Sequence, residues 1–447
     1  MVLVRVVIVG AGEVGRSIAS NLEGTHDVVV IDTDAAVIDD LTYSMDVLPL
    51  HGDGTDVEVL REAGIEEADM LLACTDVDET NIVACGAAKT VADVFTVARV
   101  KRRGLLDTWE HAEGAFGVDF MVCTDLLTAE AIFRISGLPR ALDVDQFADG
   151  LVRMAEFELG PESPIGGKTV AEADQFDSMT FAAVFRDEDL IVPRGDTRLE
   201  PGDRVVVIGS EDSIREFADE ITAGQTQDAD DVVILGGSEL GFQIAKVFED
   251  RGYRPRLIEV DHDRARELAE RLPNTTVMES DVTDTEFLVR EHVDKSDVVV
   301  AALGTDEQNL LASLLAERIG TPRTLAVVET VDYADLFEAV GIDAAINPRE
   351  EVAEEIVRFT RAGQTEKVSI LEHDRGEVLE IEIGEESVLA NRTIVEAAAE
   401  LPDCVVIGAI SREGELVVPR GATTIVPGDH VVVFADSSVV DEVSDQI

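Results

Sequence analysis

Residues 6–15 read VVIVGAGEVG, and residues 232–241 read VVILGGSELG. Each is a run of β-branched residues that leads into a glycine-rich turn. In the first, Gly10, Gly12 and Gly15 follow the G-x-G-x-x-G spacing that cradles a pyrophosphate between a strand and a helix. The first glycine makes the tight turn, the second lets backbone approach the phosphates, and the third lets helix and strand pack closely. The helix N-terminus adds free N–H donors and a positive partial charge. Asp32 ends the next predicted strand, 22 residues beyond Gly10, where a carboxylate accepts hydrogen bonds from both hydroxyls of an adenosine ribose and disfavours a 2′-phosphate. In the second turn Gly236, Ser238 and Gly241 hold the same places, with Glu259 at the acid position. Ser238 puts a Cβ and a hydroxyl where backbone should meet phosphate. The second copy is therefore expected to be a weaker site, or only a turn. The candidate phosphate-binding residues are Gly10, Ala11, Gly12, Glu13, Val14 and Gly15, and then Gly236, Gly237, Ser238, Glu239, Leu240 and Gly241.

The two turns are 226 positions apart, and other landmarks repeat at that offset. VPRG recurs at 192–195 and 418–421, and PGDRVVVIG at 201–209 returns as PGDHVVVFA at 427–435. A shared period marks a tandem duplication. Each half begins with alternating apolar strands and amphipathic helical stretches, the pattern of a parallel sheet covered on both faces. It continues with short strand pairs around a PGD turn, which read as an α+β module. The expected fold class is α/β: two tandem Rossmann-like, doubly wound parallel-sheet domains, each followed by a small α+β domain. The expected bounds are 1–136, 140–224, 229–362 and 366–447, with linkers around Gly137–Leu142, Thr222–Asp230 and Ala362–Lys367.

Composition narrows the function. Asp and Glu number 93 against 36 Lys and Arg, for a net charge of −57, and only six residues are lysine. Such a surface repels nucleic acid and anionic headgroups. Its even spread between apolar runs reads as adaptation to a salty cytoplasm, where short screening lengths relieve self-repulsion. No calcium-loop motif appears. Cys74, Cys85, Cys123 and Cys404 stand singly and read as core residues in a reducing compartment. The apolar runs fall far short of the ~20 residues that span a bilayer, and no signal peptide is expected ahead of the first strand. A soluble, cytoplasmic protein is expected, with any membrane association made through a partner.

Asp32 leaves open what lies beyond the pyrophosphate, since ATP, ADP, NAD and NADH share the adenosine half. Arg99, in VARVKRRG, closes a predicted strand and is a candidate counter-charge for terminal phosphates. The second half reads VVET there, with Glu329 near the matching place. No catalytic constellation accompanies the turns: no tyrosine begins Y-x-x-x-K, and the seven histidines form no metal-ligand spacing. No catalytic residue and no metal site is expected.

The ordered set GAGEVG, VVVID, HGDGTD, ACTDVDETN and TVARV, followed by IVPRGDTRLEPGDRVVVIG, resembles the RCK, or KTN, family. Its nucleotide-binding and C-terminal domains regulate potassium channels and transporters. The tandem form resembles the regulatory subunits of Trk-type potassium uptake. The resemblance implies regulatory NAD(H) or ATP/ADP, self-association as a dimer or higher ring, and an integral-membrane, TrkH-like potassium transporter as partner, with the chain peripheral on its cytoplasmic face. It also implies that Asp53, Thr75, Asp76 and Arg99 line the first cleft with Asp32. Asp281, Thr305 and Asp306 would line the second with Glu259. Gating of another cation channel or transporter is the alternative, and an NAD-dependent enzyme a remote one.

Overall fold

The computed structural model describes the chain except for residues 1–3, 25, 113–114, 139, 162, 187–188, 223–230, 362–366, 372–374, 386 and 403. Most of the expected linkers Thr222–Asp230 and Ala362–Lys367 thus lie outside the described residues.

The first unit alternates strand and helix throughout. Its elements are β1 (Arg5–Val9), α1 (Glu13–Leu22), β2 (Asp27–Asp32), α2 (Ala35–Ser44), β3 (Leu48–His51), α3 (Val57–Glu62), β4 (Met70–Ala73), α4 (Asp78–Lys89), β5 (Phe95–Val100), α5 (Arg103–His111), β6 (Phe120–Cys123) and α6 (Thr124–Ser136). The strands are parallel, in the order β3-β2-β1-β4-β5-β6. β1 is buried on both faces, with Val7 and Ile8 fully covered, because crossover helices lie above and below the sheet. The order reverses between β1 and β4, so the loops after these strands splay apart and leave a crevice at their carboxyl ends. The second unit repeats this order with strands Val232–Leu235, Arg256–Glu259, Thr276–Glu279, Val298–Ala301, Thr324–Val327 and Ala344–Ile346.

The last helix of each unit packs on the other unit. On α6, Ala129, Ile132 and Ile135 share a core with Phe242, Ala245 and Phe248 of the second unit. The helix Pro348–Arg361 returns the exchange: Val352, Ala353 and Ile356 join Val14, Ile18 and Leu22 on α1. Phe359 stacks on Phe120 at 4.2 Å and on Phe95 at 5.1 Å. Arg323, buried in the second unit, caps α6 across the junction. It donates to the carbonyl of Ile135 in the last turn of α6 (2.9 Å), where a helix leaves carbonyls without i+4 partners, and to those of Leu138 (2.7 Å) and Ala141 (2.9 Å) in the chain that follows.

Each small module is a five-stranded sheet, antiparallel throughout. The two sheets share one core, in which Phe147, Phe185 and Ile208 meet Val378, Ala409 and Phe434. The expected linker Gly137–Leu142 runs into a strand, Ala141–Phe147, which pairs along the edge with Val152–Glu158. Its polar sequence, LDVDQ, hides it from a periodicity reading. Cys74, Cys85 and Cys123 are buried and Cys404 half-buried, all as free thiols; burial pushes the Cys74 thiol up to about 12. Among the described residues, no helix is long and apolar enough to cross a membrane.

Candidate functional site

The first glycine turn has the geometry its spacing requires. Gly10 adopts φ +104°, in the region that side chains disfavour. A Cβ on Gly15 would lie 1.9 Å from the Gly10 carbonyl oxygen, so only glycine lets α1 approach the turn. Gly12 differs: a Cβ there would meet nothing within 4 Å. Gly12 is also the N-cap of α1 and has no side chain with which to cap it. Its outer face is open space over the first amides of α1, a cradle that suits a phosphate. Asp32 holds the turn in place, its Oδ2 accepting from the Ala11 amide at 2.6 Å and its Oδ1 from Asp34 at 2.8 Å.

The second turn shares the backbone but closes the space. Gly236 has φ +109°, and Glu259 accepts from the Gly237 and Asp261 amides, both at 2.7 Å. Ser238 donates to the Ala302 carbonyl at 3.1 Å and accepts from the Gly241 amide at 3.1 Å, which caps the following helix, Glu239–Asp250. The serine thus uses up a donor that a phosphate would otherwise engage. A paired arginine lies on both turns: Arg264 donates to the Gly237 carbonyl at 2.7 Å and to Glu239 at 3.4 Å, and Arg16 to the Ala11 carbonyl at 3.1 Å and to Asp40 at 2.7 Å.

Around the first crevice, Asp53 accepts from the Thr55 amide at 2.9 Å and the Thr55 hydroxyl at 2.7 Å, and the amide hydrogen bond leads in holding its pKa below the usual value. Asp281 repeats this with Thr283. Thr75 is fixed by a residue that motif reasoning missed. Asn81, fully buried on α4, accepts from the Thr75 amide at 2.9 Å and donates to the Arg99 carbonyl at 2.8 Å, tying the ends of β4 and β5 together. Asn309 does the same between Leu303 and Val327. The repeat of Asp-Glu-x-Asn in ACTDVDETN and LGTDEQN was the available signal.

These bonds correct one correspondence between the halves. Asp306 accepts from Glu329 (2.7 Å) and Thr330 (3.1 Å), as Asp78 accepts from Lys101 (2.9 Å) and Arg102 (3.2 Å). Thr305 and Asp306 therefore match Val77 and Asp78 rather than Thr75 and Asp76. Val327 stands where Arg99 does, and Glu329 matches Lys101. The loops before α4 and its counterpart have the same length, 74–77 and 302–305, so the slip comes from matching one Thr-Asp pair to the other although they stand at different places in the loop.

Arg99 lies inside the crevice wall rather than on its surface. It is 3% exposed and donates to the Thr124 hydroxyl at 3.1 Å and to Asp76 at 3.2 Å. Two other charges reach the turns from the exchanged helices. Arg349 bridges Glu13, the first residue of α1, and Glu329 of its own unit. Asp125, at the matching place on α6, sits in the field of Glu239; burial first, then that neighbour, pushes its pKa up to about 6.

Comparison with known proteins agrees with this organisation. The TrkA-N domain family matches residues 6–122 and 232–348, and the TrkA-C domain family residues 154–222 and 378–447. "Trk system potassium uptake protein TrkA homolog 1" of Methanosarcina mazei is 35% identical over 447 residues, covering 98% of this chain and 99% of that protein. The TrkA homolog of Archaeoglobus fulgidus is 34% identical over 444 residues, covering 99% of each. TrkA of Halomonas elongata is 30% identical over 444 residues, covering 96% of this chain and 95% of its own. Among solved structures, the GsuK RCK domain superposes with a TM-score of 0.60 at 17% identity, covering 99% of this chain and 95% of that one. The GsuK channel bound to NAD gives 0.59 at 18%, covering 99% and 79%. With two alternating pairs of these domains along its length and relatives matched end to end, the chain belongs to the TrkA family.

Proposed function

We propose that this chain is a nucleotide-sensing regulatory subunit of a Trk-type potassium uptake system. In this reading NAD(H) or ATP/ADP binds at the first turn, and the bound state alters how the two units are held. That change is transmitted to an integral-membrane, TrkH-like transporter on whose cytoplasmic face the chain assembles as a dimer or larger ring. The relatives named Trk system potassium uptake proteins support the system, and the GsuK structures with NAD and ADP support the ligand class.

The observation that carries the reading is the open face of Gly12 beside Asp32. There the amides of α1 would take the phosphates, and the remaining lone pairs of Asp32 a ribose. Asp53, Thr75 and Asp76 would line the crevice, with Arg99 holding Asp76 in place. Asp281 and Glu259 would serve a weaker second site, whereas Thr305 and Asp306 are taken up by the backbone. A ligand shifts such an assembly only by its differential affinity for two arrangements, so no catalytic step is involved.

The test is calorimetric titration in molar KCl with ATP, ADP, NAD and NADH. Asp32→Ala is expected to abolish binding and Glu259→Ala to retain it. Each acid braces its own turn, so Glu259→Ala reports whether the second turn takes part in binding. No binding by the wild-type chain at millimolar ligand would sink the reading.

A further inference from the structure

The exchanged helices bring opposite charges to the two turns. Arg349, the second residue of the helix Pro348–Arg361, contacts the Glu13 carboxylate, donates to the Glu329 carbonyl at 3.2 Å and lies 3.7 Å from the Glu329 carboxylate. Glu13 follows Gly12 directly, so this guanidinium stands at the N-terminus of the helix with the open cradle, although the other unit supplies it. At the second turn the matching residue of the exchanged helix is Asp125, a carboxylate in the field of Glu239. From the exchanged helix, then, a phosphate meets a cation at the first turn and an anion at the second, where Arg264 and Arg271 of the second unit itself are paired with Glu239.

Arg349 is also better placed than the arginine that the sequence singles out. Arg99 is walled in, whereas Arg349 is held only by carboxylates and a carbonyl at the junction, with Glu13 and Glu329 about half exposed. A guanidinium exchanges a carboxylate for a phosphate readily, since its planar fork matches either, and a phosphate carries more charge.

We propose that Arg349 is the counter-charge for the distal phosphates of a nucleotide held at the first turn, a ligand contact supplied by the second unit. On binding, Arg349 leaves Glu13 for phosphate, so the number of phosphates is read as a change in the bond between the units. Asp125, at the equivalent place, keeps oligophosphates from the second turn. This inference rests on the nucleotide reading given above.

The test is titration of the full chain with AMP, ADP and ATP. Wild-type affinity is expected to rise with each phosphate. Arg349→Gln should lower ATP affinity about tenfold or more, the scale of one charge-assisted contact, while AMP affinity changes less than about twofold. Glu329→Gln leaves the turn intact and loosens the hold on Arg349; it should raise ATP affinity and leave AMP affinity unchanged, and it carries the test if Arg349→Gln does not fold. If Arg349→Gln lowers AMP and ATP affinity alike, or neither, or if Glu329→Gln leaves ATP affinity unchanged or lower, Arg349 is only a brace and the nucleotide reading survives. If none of the three nucleotides binds the wild-type chain, both fail.

Discussion

The Ser238 hydroxyl accepts a hydrogen bond from the Gly241 amide at 3.1 Å, capping from within the kind of helix N-terminus that Gly12 leaves open in the first unit. One side chain thus separates a self-satisfied turn from a receptive one. Exchanging it should separate stability from binding. Gly12→Ser meets no steric obstacle and can cap α1, so stability is expected to hold or rise by about a few tenths of a kcal/mol. Nucleotide affinity should fall about tenfold or more, because the hydroxyl occupies the cradle. Ser238→Gly should cost only a few tenths of a kcal/mol. Paired unfolding and calorimetric measurements check both, and a Gly12→Ser chain that binds like wild type would remove the cradle from consideration.

Arg323 anchors the end of α6 through three carbonyls. Arg323→Met keeps much of the buried volume but removes three hydrogen bonds from a charged donor, so a loss of about 2–4 kcal/mol is expected. Hydrogen exchange should show α6 opening before the sheet of the first unit. Uniform loss of protection across both units would mean that Arg323 does not act at this junction.

Phe359 stacks on two first-unit rings from a second-unit helix. Phe359→Ala should cost about 3 kcal/mol through lost contact and an incompletely refilled cavity. Unfolding that becomes two separate transitions would show that the exchange couples the units. A single, merely lowered transition would place the coupling elsewhere.

Asp125 makes the contact between units depend on pH. Its pKa rises from 3.8 to about 6, first through burial and then through Glu239, with Glu329 and Asp78 adding to the rise and Lys101 opposing it. A carboxyl with a raised folded pKa binds its proton more tightly folded than unfolded, so it lowers stability as pH climbs from about 4 through 6. Asp125→Asn should therefore stabilise the chain by roughly 1 kcal/mol at pH 7.5, with the gain shrinking toward pH 5. Thermal unfolding at the two pH values checks this; a gain equal at both would point to packing rather than charge.

Much of the architecture was legible because it repeats. The strand–turn–helix stretches at 6–15 and 232–241 each carry their own reason to fold: β-branched runs that need burial on two faces, and glycines (Gly10, Gly15, Gly236 and Gly241) where a Cβ would collide. Spacing singled out Asp32 and Glu259, but it did not show that each braces its own turn. The edge strand Ala141–Phe147 was missed because its polar sequence has no apolar rhythm.

By itself, then, the sequence determined the duplication, the parallel α/β units and the inequality of the two turns, since local sterics and burial patterns act over a few neighbouring residues. Only the tertiary structure decided that the last helix of each unit packs on the other, that Arg99 is sealed by Asp76 and Thr124, and that Arg349 reaches Glu13 across more than three hundred positions of chain. Contacts of that kind depend on where two folded surfaces meet, and no local spacing of residues encodes that meeting.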